Sequence, residues 1–340
     1  MTKPFHGEQG FGQLGALDPP IVATSEPLFQ SSTVFVAGAL RSGTTMFRLL
    51  LDGHPVIRCP TEFDFLFDPL GPEGGLAAAD RLDASAFDTW LEYNQIDLAV
   101  GSAKVTCASD RIRSIVKQAR GSKPVLALPI HRNFLSAYEL FPKAKFIHIL
   151  RDPRDCARSS IGMGWAGNVY YGVDIWLVAE RSWDRVVPRL SSRQIIEVRY
   201  EVLVRDPVSE LTRICDFLGV TYSESMLDFT GTTYERPDAS YAEQWKSKLS
   251  AGEVRLVEGR VGELLPERGY EPTIPGPVQL GRLELFCLAQ QNRLARYAFA
   301  IRRLGLGLWL GDKLATRLGL RRLRALFRRR IHEINKAHWK

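Results

Sequence analysis

Eight residues near the start of the chain, Gly38-Ala39-Leu40-Arg41-Ser42-Gly43-Thr44-Thr45, have the types and spacing that bind an anion. They follow a β-branched and aromatic run, Thr33–Ala37, and open Thr44–Leu51, whose apolar spacing predicts a helix. Strand, tight turn and helix in that order aim backbone N–H groups and the positive end of a helix at one point. Nucleotide triphosphatases place Lys after the second glycine, to reach the β- and γ-phosphates, and then Ser or Thr to hold magnesium. Thr44 occupies the lysine position here, and the fixed charge lies inside the loop at Arg41. That suits a compact anion better than a metal-bound triphosphate chain.

Such a loop needs a sheet behind it. Lys145–Leu150 reads as a second buried strand, followed by the polar turn Arg151-Asp152-Pro153-Arg154-Asp155 and a helix from about Cys156. Ile195–Tyr200 reads as a third strand, before a helix that Pro207 opens and Gly219 stops. Strands alternating with helices predict an α/β fold, a parallel β-sheet flanked by helices on both faces. Gly71–Ala79 and Phe229–Lys248 read as loops bordering a cleft. The expected division is an irregular arm over 1–32, a catalytic stretch over 33–270 and a helical, basic extension over 271–340, with the Pro-rich Glu271–Pro277 between the last two.

Arg41-Ser42-Gly43-Thr44-Thr45, with Arg48 and Leu51-Asp52-Gly53-His54-Pro55, resembles the 5′-phosphosulfate loop of sulfotransferases that use 3′-phosphoadenosine-5′-phosphosulfate (PAPS), in the tyrosylprotein and bacterial branch. Phe146–Asp155 with Ser159 is similar to the family's 3′-phosphate motif, and Arg199–Pro207 and Ile214–Gly219 also resemble it, so the likeness runs from Thr33 to Tyr270. The resemblance implies a P-loop-like fold, PAPS as sulfuryl donor, and transfer to an acceptor hydroxyl. Carbohydrate is slightly preferred over peptidyl tyrosine or a lipid-linked group. It implies Arg151 and Ser159 as 3′-phosphate contacts, and Tyr200 lining the nucleotide pocket. Ser42, Gly43, Thr44 and Thr45 would hold the sulfuryl and 5′-phosphate oxygens, and Arg41 would offset charge on the leaving oxygen. By its offset from the loop Glu62 becomes the general base; without the resemblance it reads as an exposed loop carboxylate or a helix-cap partner. No metal is required. The family's Lys-x-Pro before the helix preceding the second phosphate strand corresponds here to Ala127-Leu128-Pro129, which leaves His131, Lys123 or Arg41 alone to serve the leaving group.

Arg151 also reads as a surface partner of Asp152 or Asp155, but the carboxyl end of a strand, where open α/β sheets bind ligands, favours a functional part. His54 reads as a helix stop before Pro55, and His148, inside an apolar strand, as a satisfied core histidine.

The formal charge of +7 is unevenly placed. Residues 293–340 hold 14 Lys+Arg against 2 acids, a net of +12, which leaves −5 for residues 1–292. Lys313–Arg330 spaces leucines among arginines as an amphipathic helix would. Three uses compete: an anionic membrane surface, a polyanionic acceptor, or packing with solvated arginines. Nucleic acid ranks last, for want of a binding motif. Five scattered Cys without CxxC argue against zinc and disulfides and suit a reducing cytosol. Without an apolar run of spanning length, the expectation is a cytoplasmic or peripheral membrane protein. The competing functions are a P-loop kinase and a nucleotide-binding adaptor without turnover.

Overall fold

A computed structural model describes residues 32–71, 74–94, 96, 105–232 and 234–338. The N-terminal arm up to residue 31 and the Gly71–Ala79 loop's residues 72 and 73 lie outside the described residues.

In chain order the elements are β1 (Ser32–Gly38), α1 (Thr44–Asp52), β2 (Ile57–Arg58), α2 (Leu76–Arg81), α3 (Ala84–Tyr93), α4 (Ala108–Arg120), β3 (Val125–Ile130), α5 (Phe134–Leu140), β4 (Lys145–Leu150), α6 (Pro153–Gly162), α7 (Val169–Gly172), α8 (Asp174–Val186) and β5 (Ile195–Arg199). Then follow α9 (Tyr200–Arg205), α10 (Pro207–Leu218), α11 (Trp245–Lys248), α12 (Ala251–Val261), α13 (Leu264–Glu267), α14 (Arg282–Leu304), α15 (Leu306–Arg317) and α16 (Arg321–His338).

The described residues form two compact units, one within 32–151 and 175–244, the other within 152–174 and 245–338. The first holds a five-stranded parallel sheet in the order β2-β3-β1-β4-β5. Alternation along β1 shows why both faces are covered. Val34 and Val36 join Phe47, Leu50, Leu211 and Ile214 in one core layer. Phe35 points the other way, into the rings of Phe67, Phe141 and Phe146, with centroids 6.0, 5.6 and 5.3 Å away. The parallel sheet flanked by helices is thus as expected.

Several boundaries differ from the expectation. The helix after β4 starts at Pro153, because the Asp152 carboxylate caps the Arg154 N–H. Tyr200 leaves the third strand and opens α9. Leu76–Arg81, expected as loop, is helical. The helix expected over Lys313–Arg330 breaks after Arg317, where Gly319 takes φ +68°. Gly219, at φ +80°, ends α10 as expected.

In the second unit α12 packs on α6 and α7 around a buried guanidinium. Arg154 meets Asp152 at 2.7 Å and Glu258 at 2.8 Å and lies 3.7 Å over the Trp245 ring. Asp155 accepts from the Trp245 N–H at 2.7 Å. Half of the expected second phosphate motif is therefore structural. The five cysteines are free thiols; Cys59, Cys156 and Cys215 are buried, while Cys287 is exposed on α14.

Candidate active site

The loop between β1 and α1 is shaped by two close approaches. A Cβ at Gly38 would collide with Ile149 of β4, and one at Gly43 with the Tyr200 ring. Gly43 also has φ +84°, and Arg41 is held at φ +73°, a conformation most side chains avoid. No side chain caps α1, so the first-turn N–H groups point at the loop mouth without an intrahelical acceptor. Ser42 and Thr44 are buried beneath it, and Thr45 is half-buried.

Arg151 leaves the carboxyl end of β4 and reaches the same loop. It donates to the Arg41 carbonyl at 3.2 Å and the Tyr241 carbonyl at 3.3 Å, and its guanidinium stacks 4.1 Å over the Tyr200 ring. Arg41, Gly43, Tyr200 and Arg151, far apart in sequence, thus meet at one strand end. Ser159 lies on α6 in the second unit, half-buried.

Glu62 belongs to a cluster on the other side of Thr44. The His131 ring places Nδ1 2.7 Å from Asp64 Oδ2 and Nε2 3.1 Å from Thr44 Oγ1. Glu62 Oε1 lies 3.8 Å from the same Nε2. The His131 side chain is 1% exposed and that of Asp64 0%, against 31% for Glu62. Only Glu62 of the three is reachable from outside. Asp64 is fixed further by the His131 N–H at 2.7 Å, and Arg132 is held by Asp68 at 2.6 Å.

Sequence reasoning missed Asp64, and it set Ala127-Leu128-Pro129 just before a helix, where the structure has β3. Ala127-Leu128-Pro129 lies inside β3, wholly buried. Pro129 is tolerated there because β2 pairs only with Val125 and Leu126, so the outer side of β3 is open at Pro129, whose carbonyl accepts from Phe63. The helix before β4 is α5, and the residues leading into it are His131, Arg132 and Asn133. Lys123 is no substitute, because its ammonium donates to the Asp52, His54 and Ile57 carbonyls at 3.0, 2.9 and 2.8 Å. A carboxylate within Phe63-Asp64-Phe65-Leu66-Phe67 was the available signal, since a charge in an apolar run must find a partner.

Burial pushes the Glu62 carboxyl above the ordinary carboxylate range; His131 opposes this and Asp64 adds to it. Burial alone would lower the His131 pKa, but Glu62 and Asp64 outweigh it and raise it. Burial likewise works against ionised Asp64, yet Arg132 and His131 hold it at about 2. As imidazolium, His131 donates from both nitrogens, to Asp64 and to Thr44 Oγ1. The Thr44 hydroxyl then keeps its own proton for an anion at the loop. Neutral His131, its proton on Nδ1, would instead draw that proton to Nε2.

The linkage signs follow. Asp64, lowered from 3.8 to about 2, contributes stability that is present above pH 3.8 and lost as pH falls through about 2. His131, raised above 6.5, contributes stability that is present below pH 6.5 and lost as pH rises through its folded value. Asp64→Ala, which leaves His131 and Arg132 without their buried partner, is expected to cost about 3–5 kcal/mol in urea unfolding at neutral pH. A loss within about 0.5 kcal/mol would show that the pair is not coupled to folding.

Ligand atoms of Glu62, Asp64 and His131 lie within 4.8 Å of one another, so these three could meet one metal ion. Both His131 nitrogens are already engaged, and an ion would have to displace Asp64 or Thr44. His54 and His148 stay outside the site. His54 Nε2 donates to the Thr221 carbonyl at 2.8 Å. His148 pairs through Nε2 with Glu180 at 3.2 Å and stacks on Trp183, so it is a core histidine as expected, satisfied on Nε2, while its buried Nδ1 lies 3.7 Å from Glu197 without a hydrogen bond.

Residues 33–224 match the sulfotransferase family model, and the chain belongs to that family of transferases. It is 30% identical over 200 residues to a putative protein-tyrosine sulfotransferase of Caenorhabditis briggsae, covering 57% of this chain and 68% of that protein. It is 29% identical to an omega-hydroxy-beta-dihydromenaquinone-9 sulfotransferase of Mycobacterium tuberculosis over 42% of this chain and 39% of that protein. The chain spans about half the length of further protein-tyrosine sulfotransferases it matches. Among solved structures, the sulfotransferase domain of the Synechococcus PCC 7002 olefin synthase is 22% identical, at a TM-score of 0.49 over 78% of this chain and 96% of that one.

Proposed function

We propose that the protein transfers a sulfuryl group from PAPS to an acceptor hydroxyl, with residues 33–270 as the catalytic stretch. The observation that carries this is Glu62, a reachable carboxylate with a raised pKa, beside the Thr44–His131–Asp64 chain at the mouth of an uncapped helix. Glu62 takes the acceptor proton as the hydroxyl oxygen attacks sulfur. The α1 amides, Ser42, Thr44 and Thr45 hold the sulfuryl and 5′-phosphate oxygens, and Arg41 meets the charge that grows on the leaving oxygen. Arg151 holds the 3′-phosphate, and Tyr200 lines the nucleotide pocket. His131 is a positioning residue, acting on the anion through Thr44.

The kinase alternative loses ground because β3 runs into His131 and β4 into Arg151, where a magnesium-binding acid would stand, and Asp152 is engaged by Arg154. Peptidyl tyrosine is the acceptor that the protein-tyrosine sulfotransferase relatives favour. The slight preference for carbohydrate finds no support in the relatives named. A lipid-linked hydroxyl is the second reading, favoured by the apolar and basic surface of α14–α16. Association of these helices with an anionic membrane or a polyanion, at a cytoplasmic site, completes the reading.

The test is transfer from PAPS labelled in its sulfuryl group to a tyrosine peptide or to a long-chain alcohol, in excess EDTA. Label is expected on the acceptor at an undiminished rate, since Arg41 and the loop amides supply the positive charge. Activity lost on chelation and restored by magnesium would contradict the metal-free scheme.

A further inference from the structure

The C-terminal helices carry an apolar surface that is exposed among the described residues. Of sixteen large apolar side chains exposed among the described residues, eleven lie between Leu283 and Leu326. Within α14–α16 only Leu288 and Ala315 are buried among the described residues. On α15 the exposed large apolar residues form one stripe, Leu306, Leu310 and Leu314, at helical spacing. Lys313 and Arg317, also exposed, fall in the same arc. The pattern repeats on α16, where exposed Leu323 and Leu326 share a face with Arg322 and Arg330.

We infer that this face docks on the surface of an anionic lipid bilayer, its leucines entering the acyl boundary and its arginines meeting the headgroup phosphates. The charge selects the occupant. A second copy of the chain would bring a segment of net +12 against its like. A polyanion would satisfy the arginines and leave the leucines in water, whereas a bilayer interface takes both. No helix among the described residues is long and apolar enough to cross a membrane, so the helices lie on the surface. This narrows the partner reading above to one class.

Co-sedimentation of the full chain with vesicles tests it. Binding to phosphatidylcholine mixed with phosphatidylglycerol is expected to exceed binding to phosphatidylcholine alone by about tenfold or more, and to weaken with salt. Leu310→Asp with Leu314→Asp should lower that binding by about tenfold or more, with PAP affinity, melting temperature and heparin binding retained. Leu310→Ser with Leu314→Ser is the milder pair should the first misfold. Equal binding to the two vesicle types would overturn the inference. Wild-type vesicle binding by the leucine variants would also overturn it, leaving a purely electrostatic face for a polyanion. So would a dimer in sedimentation velocity that the leucine variants dissociate, since the occupant is then a second copy. The measurement needs neither donor nor acceptor, so its failure is distinct from failure of the transfer reading.

Discussion

Glu62→Gln is expected to slow sulfuryl transfer by about 10²–10⁴-fold, the usual contribution of a positioned general base, with PAPS affinity unchanged at a pH where His131 is protonated in both proteins. Glutamine keeps the size of the side chain but cannot accept the acceptor's proton. The loss therefore falls on kcat, which separates catalysis from binding and folding. The raised pKa of Glu62 sets the acid side of the profile, because the base works only when ionised: wild-type activity should climb as pH rises through a value above the ordinary carboxylate range. A tyrosine acceptor, ionising near pH ~10, should regain part of the lost rate in alkali, whereas a far less acidic alcohol should not. Wild-type rates for Glu62→Gln, with chemistry limiting turnover, would remove Glu62 from the mechanism.

His131→Gln should weaken nucleotide binding by about tenfold to a hundredfold, the worth of a charge-assisted hydrogen bond lost with its cation. A merely structural histidine would also lower affinity through misfolding, so the deciding readout is pH. In the wild type, affinity for 3′,5′-adenosine bisphosphate (PAP) should fall as pH rises through the elevated pKa of His131, since the neutral ring reclaims the Thr44 proton. His131→Gln should bind with no such fall. Glu62→Gln should move the fall to lower pH, because Glu62 is the leading group that raises the imidazole pKa. Parallel pH profiles for wild type and His131→Gln would contradict the Thr44 coupling.

The anion loop and the strands behind it were legible because each rests on local chemistry: glycines where a side chain cannot fit, short apolar runs, and an arginine at a strand end; Glu62 was singled out by the family resemblance, not by local chemistry. The Thr44–His131–Asp64 chain was not legible in the same way. Its members are 67 and 87 residues apart, and only the parallel pairing of β1 with β3 brings them together. Ala127-Leu128-Pro129, set against the family's Lys-x-Pro by its proline, belongs to a strand, which sequence spacing did not report. Within the second phosphate motif, neighbours in sequence part in space: Arg154 and Asp155 are tied to Asp152, Glu258 and the Trp245 amide, while Arg151 meets the loop. Long helices in the C-terminal region were expected from leucine spacing, but the break at Gly319 depends on a left-handed turn that spacing does not report.

The most direct test of the central claim, that the loop and Arg151 are built for PAPS, is calorimetric titration of the protein with PAP and with 5′-AMP in excess EDTA. Arg151 and the 3′-phosphate form charged hydrogen bonds, each contributing on the order of 1.5–3 kcal/mol, so PAP should bind tenfold or more tightly. Arg151→Ala should erase most of that preference and also weaken 5′-AMP slightly, because it frees the Arg41 carbonyl. Equal affinity of the wild-type protein for PAP and 5′-AMP would contradict the account.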